Sequence, residues 1–378
     1  MTEKMKILNH LQSREDEMVE LLETFVNIDS PSTDKASVDR FARLVAAKWQ
    51  SLGADVTILP QKEYGDHVRA EWGTGEETIL LLCHMDTVWN VGETAKRPFR
   101  VENGKAYGPG VYDMKAGIVQ AIFAVKTLID LGLQPDKRIV ALHNSDEEIG
   151  SLSSRQIIED EARRASAVLV LEPSAKGGAL KTWRKGVGDF SVTIQGRAAH
   201  AGSDYEKGIS AINEAAHQIL YLHGITDLAE GTTVNVGVIQ GGTRTNVVAE
   251  ACTLGVDLRV KTMDAANKVV PQILDLKPVD PRASISVEGG LNRPPMERNE
   301  RNLRLFRLAQ KVGREMGIDL DEAGTGGGSD GNFTSALGIP TLDGLGAVGD
   351  DAHAPTEYIL ISSMPERAAL LAGLMLEI

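Results

Sequence analysis

The pattern of apolar positions changes its period along the chain, and each change predicts a different element. In the first fifty residues, apolar side chains recur at helical spacing in two groups, Met18–Val26 and Val38–Trp49. The polar segment Ser30–Asp34 between them is typical of a helix stop followed by an N-cap. We therefore expect two helices in this part of the chain.

Three continuous apolar runs predict strands that are buried on both faces. The runs are Thr78–Cys83, Arg138–Leu142 and Ala167–Leu171. An apolar helix, Ala116–Leu133, is predicted between the first two. Strands that alternate with helices are typical of an α/β sheet with parallel strands. Such sheets bind ligands just beyond the carboxyl ends of their strands, so the residues that follow these runs are the first functional candidates.

The pattern changes again near Trp183. Residues alternate from Gly188 to Gln195, which predicts a strand with one face in solvent. The elements predicted after it are the helix Ser210–His223, the strands Thr233–Ile239 and Val247–Val260, the helix Ala265–Leu276 and the strand Ser284–Val287. We expect a small α+β domain over residues 183–292. It is inserted into a catalytic domain made of residues 1–182 and 293–378.

Composition narrows the possible partners and the compartment. A formal net charge of −13 and an aromatic content of 4% argue against a nucleic-acid partner, which needs a basic face and stacking platforms. No apolar run is long enough for a membrane span, and the first residues do not resemble a secretory signal. The two cysteines, Cys83 and Cys252, are expected to be buried strand thiols in a reducing cytosol. We therefore expect a cytoplasmic protein without a membrane partner.

Acidic and imidazole side chains stand in five short motifs, most of them directly after a predicted strand or a glycine-rich loop. The candidates are His84 with Asp86, Asp113, Glu147 with Glu148, Glu172, and His353. Two imidazoles, those of His84 and His353, and three carboxylates, those of Asp113, Glu148 and Glu172, form a ligand set that suits a pair of zinc-like ions. The remaining Glu147 stands beside a ligand, where a general base is expected.

Each motif, taken alone, also has an ordinary structural explanation. These are an ion pair for His84 and Asp86, a helix N-cap for Asp113, a solvated charge run for Asp146–Glu148, a strand-end surface position for Glu172, and an exposed loop for His353. Five such coincidences at five matching positions are improbable, so the metal site is the better interpretation.

Together, these motifs resemble those of the co-catalytic zinc hydrolases that include glutamate carboxypeptidase, acetylornithine deacetylase, succinyl-diaminopimelate desuccinylase and carnosine-type dipeptidases. The resemblance covers essentially the whole chain and is strongest to bacterial glutamate carboxypeptidase. It implies two Zn²⁺ ions per subunit, with Co²⁺ or Mn²⁺ as possible substitutes. The implied ligands are His84, Asp113 and Glu172 for one ion and Asp113, Glu148 and His353 for the other. It also implies a metal-bridging hydroxide as nucleophile, a cis peptide after Asp113, Glu147 as general base and Asp86 as the acid that orients an imidazole.

The resemblance extends to the inserted domain, which it implies to be ferredoxin-like and to serve as a lid and a dimerisation domain. His200, in Ala199–Gly202, matches a histidine that reaches the active site of the other subunit and stabilises the oxyanion. Asn246 and Arg259 match positions that bind the carboxylate of the substrate, a role that suits an arginine fork. A surface histidine and an edge-strand charge are the ordinary alternatives. A homodimer is therefore expected.

We predict hydrolysis of an amide bond that releases a C-terminal amino acid from a small peptide or an N-acyl amino acid. Glu172 favours the carboxypeptidase and deacylase branches, because the aminopeptidase branch tends to carry Asp there. The alternatives are an N-acyl-amino-acid deacetylase or desuccinylase, and a dipeptidase. A non-enzymatic metal-binding protein has no need of Glu147. The G-x-G-x-x-G within Gly324–Gly331 does not follow a buried strand and is better explained as a flexible substrate-facing loop than as a dinucleotide site.

Overall fold

The computed structural model describes residues 1–378, which form two compact units. The first unit consists of Met1–Trp183, Arg298–Thr325 and Ser329–Ile378. The second consists of Arg184–Glu297 with Gly326–Gly328. No helix in either unit combines the length and the apolar character that crossing a membrane requires.

The chain forms eleven α-helices. They are α1 (Glu3–Gln12), α2 (Glu15–Val26), α3 (Lys35–Ser51), α4 (Glu93–Lys96), α5 (Ala116–Asp130), α6 (Arg155–Arg164), α7 (Ala211–Gly224), α8 (Met263–Leu274), α9 (Glu300–Glu315), α10 (Gly331–Ala336) and α11 (Ser363–Glu377).

Sixteen strands complete the secondary structure. They are β1 (Asp55–Leu59), β2 (His67–Trp72), β3 (Thr78–His84), β4 (Arg100–Glu102), β5 (Lys105–Tyr107), β6 (Arg138–Asn144), β7 (Ala165–Val170), β8 (Leu180–Arg184), β9 (Gly186–Gln195), β10 (Thr233–Gly241), β11 (Ala251–Val260), β12 (Ser284–Arg293), β13 (Glu322–Thr325), β14 (Thr341–Leu342), β15 (Gly349–Asp350) and β16 (Tyr358–Leu360).

The first unit is organised around a six-stranded sheet in the order β1-β2-β6-β3-β7-β14. Strand β3 pairs in parallel with β6 and β7, and β14 continues the parallel part beyond β7. Strands β1 and β2 add an antiparallel edge. Every residue of β3 is buried, as its continuous apolar run predicts. The expected mixed, mostly parallel α/β sheet is confirmed.

Helices bury the faces of this sheet. Helix α5 is apolar on nearly all sides, and its contacts with α11, α2 and α1 place it in the largest hydrophobic core of the molecule. Gly117 lets α5 approach the end of β7, because a Cβ at this position would stand 2.3 Å from the carbonyl oxygen of Leu171. The close approach brings the start of α5 to the carboxyl edge of the sheet, where the candidate residues lie.

The amino-terminal region differs from the prediction, because it contains three helices and not two. Helix α1 buries Ile7, Leu8 and Leu11 but is polar on its other faces. Its short apolar stripe is interrupted by charged residues, and the helix is stable because it packs against α11. The predicted N-cap is confirmed: Oδ2 of Asp34 accepts a hydrogen bond of 2.9 Å from the backbone N–H of Ser37 at the start of α3.

The second unit contains an antiparallel sheet in the order β10-β11-β9-β12 and the two helices α7 and α8. Its elements follow one another as β9-α7-β10-β11-α8-β12, which is the ferredoxin-like arrangement expected for this part of the chain. Alternate residues of β9 and β11 are buried in a core of their own. The lid and dimerisation roles of this unit remain predictions.

Candidate metal centre

His84, Asp113 and Glu172 form the first group of candidate ligands. His84 is the last residue of β3, and Glu172 lies two residues beyond the end of β7. His84 Nε2 lies 3.1 Å from Asp113 Oδ1 and 3.3 Å from Glu172 Oε1. Because β3 and β7 are parallel neighbours, their carboxyl ends bring the imidazole and the carboxylate to the same edge of the sheet.

Asp113, Glu148 and His353 form the second group. His353 Nε2 lies 3.3 Å from Asp113 Oδ2 and 3.2 Å from Glu148 Oε2. Glu148 follows β6, the other parallel neighbour of β3, while His353 comes from a loop near the C-terminal helix. In each group the possible ligand atoms lie within 4.8 Å of one another.

Asp113 belongs to both groups because its two carboxylate oxygens face different histidines. It lies in the irregular turn Val111–Lys115 and not at the start of α5, whose N-cap is Lys115 without a side-chain capping bond. The N-cap explanation of Asp113 is therefore wrong. The peptide bond Asp113–Met114 is cis, as the family resemblance implies.

Asp86 organises the turn that carries Glu147 and Glu148. Its carboxylate is buried, and Oδ1 accepts a hydrogen bond of 3.2 Å from the backbone N–H of Glu147. Oδ2 accepts two hydrogen bonds, one of 3.1 Å from the backbone N–H of Glu148 and one of 2.6 Å from the hydroxyl of Ser32. His84 Nδ1 faces Asp86 as well, 3.0 Å from its backbone oxygen and 3.5 Å from Oδ1. Asp86 thus contacts both an imidazole and the segment that follows β6.

The charges of the two groups perturb one another strongly. Burial raises the pKa of Glu148 to about 7. Hydrogen bonds to Asp113 and Glu148 raise the pKa of His353 to about 11. Burial opposes ionisation of Asp113, but hydrogen bonds to His353 and His84 lower its pKa overall. The carboxylates of the cluster therefore stabilise positive charge beside them, whether on the imidazoles or on a bound cation.

The donor set fits a pair of divalent cations. Imidazole nitrogens and carboxylate oxygens are the ligands that zinc-like ions prefer, and a carboxylate can offer one oxygen to each of two ions. Glu148 Oε1 is buried and has no hydrogen-bond partner. Such an atom is costly in a protein interior unless another group, such as a cation, satisfies it.

Two further acids hold the segment that carries Glu147. Asp146 Oδ2 accepts hydrogen bonds from the backbone N–H groups of Ser153 (2.5 Å) and Ser154 (3.3 Å). Asp330 accepts from the hydroxyl of Ser151 and, at 2.8 Å, from the amide of Asn144. Asp330 is buried at the end of the glycine-rich stretch, so this end is a packed anchor rather than the flexible loop expected from its composition. Glu147 itself is half-buried in a short 3₁₀ turn.

Glu357 is a buried acid beside the centre that the sequence did not indicate. Its carboxylate accepts hydrogen bonds from the backbone N–H groups of Gly110, Tyr112 and Asp113. The only signal in the sequence is its position four residues after His353. That spacing has a clear meaning in a helix, but this segment is a loop.

The other predicted site residues, His200, Asn246 and Arg259, lie in the second unit. His200 is exposed, and its Nδ1 accepts hydrogen bonds of 3.1 Å from the backbone N–H groups of Gly202 and Ser203. Asn246 is exposed, and its backbone oxygen accepts from the N–H of Ala201 (3.0 Å). The guanidinium of Arg259 is paired with Asp257, with Nη2 lying 2.8 Å from Oδ2.

Comparisons with known proteins agree with this arrangement. Carboxypeptidase G2 of Pseudomonas sp. (strain RS-16) is 33% identical over 370 residues, which cover 96% of this chain and 89% of the relative. Acetylornithine deacetylase of Pasteurella multocida (strain Pm70) is 32% identical over 233 residues, which cover 56% of this chain and 59% of that protein.

The fold is shared with enzymes whose sequences are more distant. The crystal structure of a tripeptidase from Staphylococcus aureus subsp. aureus Mu50 matches with a TM-score of 0.77 at 22% identity, covering 96% of this chain and 97% of that one. The model of Peptidase family M20/M25/M40 matches residues 80–377. The chain therefore belongs to Peptidase family M20/M25/M40 and is a metal-dependent peptidase or amidohydrolase.

Proposed function

We propose that this protein is a dinuclear zinc carboxypeptidase that hydrolyses an amide bond and releases a C-terminal amino acid. The observation that carries the proposal is the carboxylate of Asp113, whose Oδ1 lies 3.1 Å from Nε2 of His84 and whose Oδ2 lies 3.3 Å from Nε2 of His353. One carboxylate between two imidazoles, each with a further acid beside it, suits two cations that share a bridge.

The residues that would hold the cations are the two groups around Asp113. His84 and Glu172 complete one site, and Glu148 and His353 complete the other. Zinc ions bound there would lower the pKa of a water molecule to about 7 and polarise the substrate carbonyl. Co²⁺ and Mn²⁺ are the expected substitutes, because they accept similar nitrogen and oxygen ligands.

Glu147 is the proposed general base. The backbone N–H of Glu147 donates a hydrogen bond of 3.2 Å to Asp86 Oδ1. This bond fixes the position of the Glu147 backbone beside the ligand Glu148. Glu147 takes a proton from the attacking water as its oxygen bonds to the carbonyl carbon. It then delivers that proton to the nitrogen as the carbon–nitrogen bond breaks, so a carboxylic acid and a free amine are formed.

His200 is the proposed donor to the oxyanion that forms on the carbonyl oxygen. Its Nδ1 accepts two backbone N–H groups, and a ring nitrogen that accepts cannot carry the proton of a neutral imidazole. The proton then resides on Nε2, which is free to act as the donor. Loss of one such donor typically costs about 3–4 kcal/mol of transition-state stabilisation.

Arg259 and Asn246 are the proposed binding groups for the carboxylate of the leaving amino acid. The guanidinium already pairs with a carboxylate, that of Asp257, with Nε 3.0 Å from Oδ1 and Nη2 2.8 Å from Oδ2. This pairing keeps the planar fork in one orientation, and Nη1, the donor farthest from Asp257, lies 3.5 Å from the backbone oxygen of Gly326. The likeness to carboxypeptidase G2 favours this substrate class.

A second candidate, deacylation of an N-acyl amino acid, is favoured by the likeness to acetylornithine deacetylase. It uses the same chemistry with a smaller acyl group. A dipeptidase is the third possibility within the family. A panel of acyl-glutamates, acetylated and succinylated amino acids and dipeptides, assayed with zinc and with cobalt, separates the three by kcat/KM.

The second unit supports the proposal of a homodimer. Strand β10 is an edge strand of its sheet and exposes Val238 and Ile239, which are 55% and 52% accessible. Leu220 of α7 is 75% accessible. Apolar side chains beside an open strand edge suit pairing with a second copy. Sedimentation equilibrium measures the oligomeric state and tests this proposal. Mixing Glu147→Ala with His200→Ala subunits tests whether His200 acts on the partner, because only action across subunits restores activity.

The test of the whole proposal is Glu147→Gln, which keeps the shape of the side chain but removes its basicity. We expect two equivalents of metal per subunit to remain and kcat to fall by at least about 100-fold, the usual contribution of a general base. Glu159→Gln, on helix α6, is the matched control, because Glu159 pairs with Arg155 and Arg163, and it should keep full activity. Retained turnover in Glu147→Gln rejects the assignment of the base, and absence of bound metal in the parent protein rejects the dinuclear centre.

A further inference from the structure

Glu357 makes an unusual set of contacts for a buried acid. The residue is only 1% exposed to solvent. Oε1 accepts hydrogen bonds from the backbone N–H groups of Tyr112 (2.9 Å) and Asp113 (3.0 Å). Oε2 accepts from the backbone N–H of Gly110 (3.1 Å) and the indole Nε1–H of Trp89 (3.3 Å). All four contacts are made to donors, two for each oxygen.

An ionised carboxylate suits this position because it only accepts hydrogen bonds and has room for about four of them. The turn Val111–Lys115 has non-helical backbone angles at Asp113, so helical bonding does not provide for its N–H groups. Buried N–H groups need an acceptor, and Glu357 supplies it for three of them. A glutamine would turn its own N–H₂ towards two of these donors.

The same residue is tied to the second histidine of the centre. Glu357 follows His353 by four residues, and its backbone N–H donates to the oxygen of Ala354 at 3.0 Å within that loop. The loop is anchored a second time, because Arg97 Nη1 donates to the backbone oxygen of Pro355 at 3.0 Å. One end of this short segment therefore carries an imidazole, and the other end holds the backbone of Asp113.

We propose that Glu357 is a positioning residue that sets the spacing between Asp113 and His353 and thereby the affinity of the second cation site. It acts through the backbone N–H of Asp113, which donates a hydrogen bond to its carboxylate. The 3.3 Å separation of His353 Nε2 and Asp113 Oδ2 depends on two loops that are far apart in sequence. Glu357 joins these loops directly. The inference rests on the proposed metal centre.

The test is cobalt binding to the metal-free protein, followed by calorimetry and by the visible spectrum of bound Co²⁺. In Glu357→Gln we expect one of the two binding constants to fall by about 10- to 100-fold, the usual effect of losing a group that orients metal ligands. The visible band of the second equivalent of Co²⁺ should also change, because its ligand geometry changes.

Glu161→Gln is the matched control, because Glu161 is also a buried acid (7% exposed) in the first unit but pairs with Arg69. It should bind both equivalents of cobalt like the parent. Equal affinities and spectra for Glu357→Gln and the parent overturn the role of Glu357. Failure of the parent protein to bind cobalt instead overturns the proposed metal centre, so the two failures are distinct.

Should Glu357→Gln fail to fold, Glu357→Asp decides the matter. Its carboxylate keeps the charge but is shorter by one methylene and cannot reach all four donors. We expect a smaller loss of affinity at the same site and an altered cobalt spectrum. A spectrum and affinities identical to those of the parent would refute the positioning role.

Discussion

His143 is a buried histidine whose titration should make the protein sensitive to mild acid. It lies in the central strand β6, and its Nε2 accepts a hydrogen bond of 2.7 Å from the indole N–H of Trp49. Burial lowers the pKa of His143 from 6.5 to about 3. Because Nε2 is an acceptor, the imidazole is neutral in the folded protein. A second proton would place an unbalanced charge in the core.

The size of the effect follows from the difference between the two pKa values. Above pH 6.5 neither the folded nor the unfolded chain protonates this histidine, so it has no influence on the pH dependence. Between pH 6.5 and about 3 only the unfolded chain binds the proton, and stability therefore falls as the pH falls. Two pH units, from 6.5 to 4.5, correspond to about 3 kcal/mol from His143 alone.

The comparison is between the parent and His143→Gln, which keeps an acceptor near Trp49 but does not titrate. Urea unfolding at pH 7 and pH 4.5, both with a metal chelator, gives the free energy of unfolding of each protein. We expect the parent to lose about 3 kcal/mol more than the variant over this interval. Other acids titrate in both proteins and cancel in the difference. Equal losses would show that His143 is protonated in the folded state and that the reasoning from its burial is wrong.

Two further substitutions probe the edge of the sheet. Asp86→Asn replaces one acceptor oxygen by a donor, so the backbone N–H of either Glu147 or Glu148 loses its acceptor. We expect a 10- to 100-fold loss of kcat or of metal affinity, measured by steady-state kinetics and by chelator competition. Unchanged kinetics would contradict the orienting role of Asp86. Gly117→Ala places a methyl group 2.3 Å from the carbonyl oxygen of Leu171. We expect the free energy of unfolding, measured in urea, to fall by about 1–3 kcal/mol. An unchanged urea midpoint would show that α5 can shift without an energetic cost.

The strands that carry the candidate ligands could be predicted because each is a continuous run of apolar residues, which indicates a strand buried on both faces. The runs expected at Thr78–Cys83 and Arg138–Leu142 correspond to β3 and β6, which extend to His84 and Asn144. Strand ends are uncertain by a few residues because polar side chains there belong to both the strand and the loop. The antiparallel strand β1 has no such signal, since none of its residues is buried.

The site shows the same division between residues with a local pattern and residues without one. His84 ends the buried strand β3 and Glu148 follows the buried strand β6, so topology alone predicts that they meet at one edge. Glu357 and Asp330 have no comparable signal, because a single acid in a loop usually lies on the surface. Their importance arises from contacts with residues more than a hundred positions away, such as the backbone of Asp113 and the amide of Asn144. Such contacts leave no periodic trace in a single sequence.

The long separation between the two halves of the cluster has a consequence for synthesis of the chain. Asp113 and Glu357 are 244 residues apart. At ribosomal rates of about 5–20 residues per second, roughly 12–50 s pass between the appearance of these two residues. During that interval Asp113 and Glu148 lack the imidazole of His353, and the turn that carries Asp113 lacks the carboxylate of Glu357. The proposed second cation site is therefore complete only when the last part of the polypeptide folds.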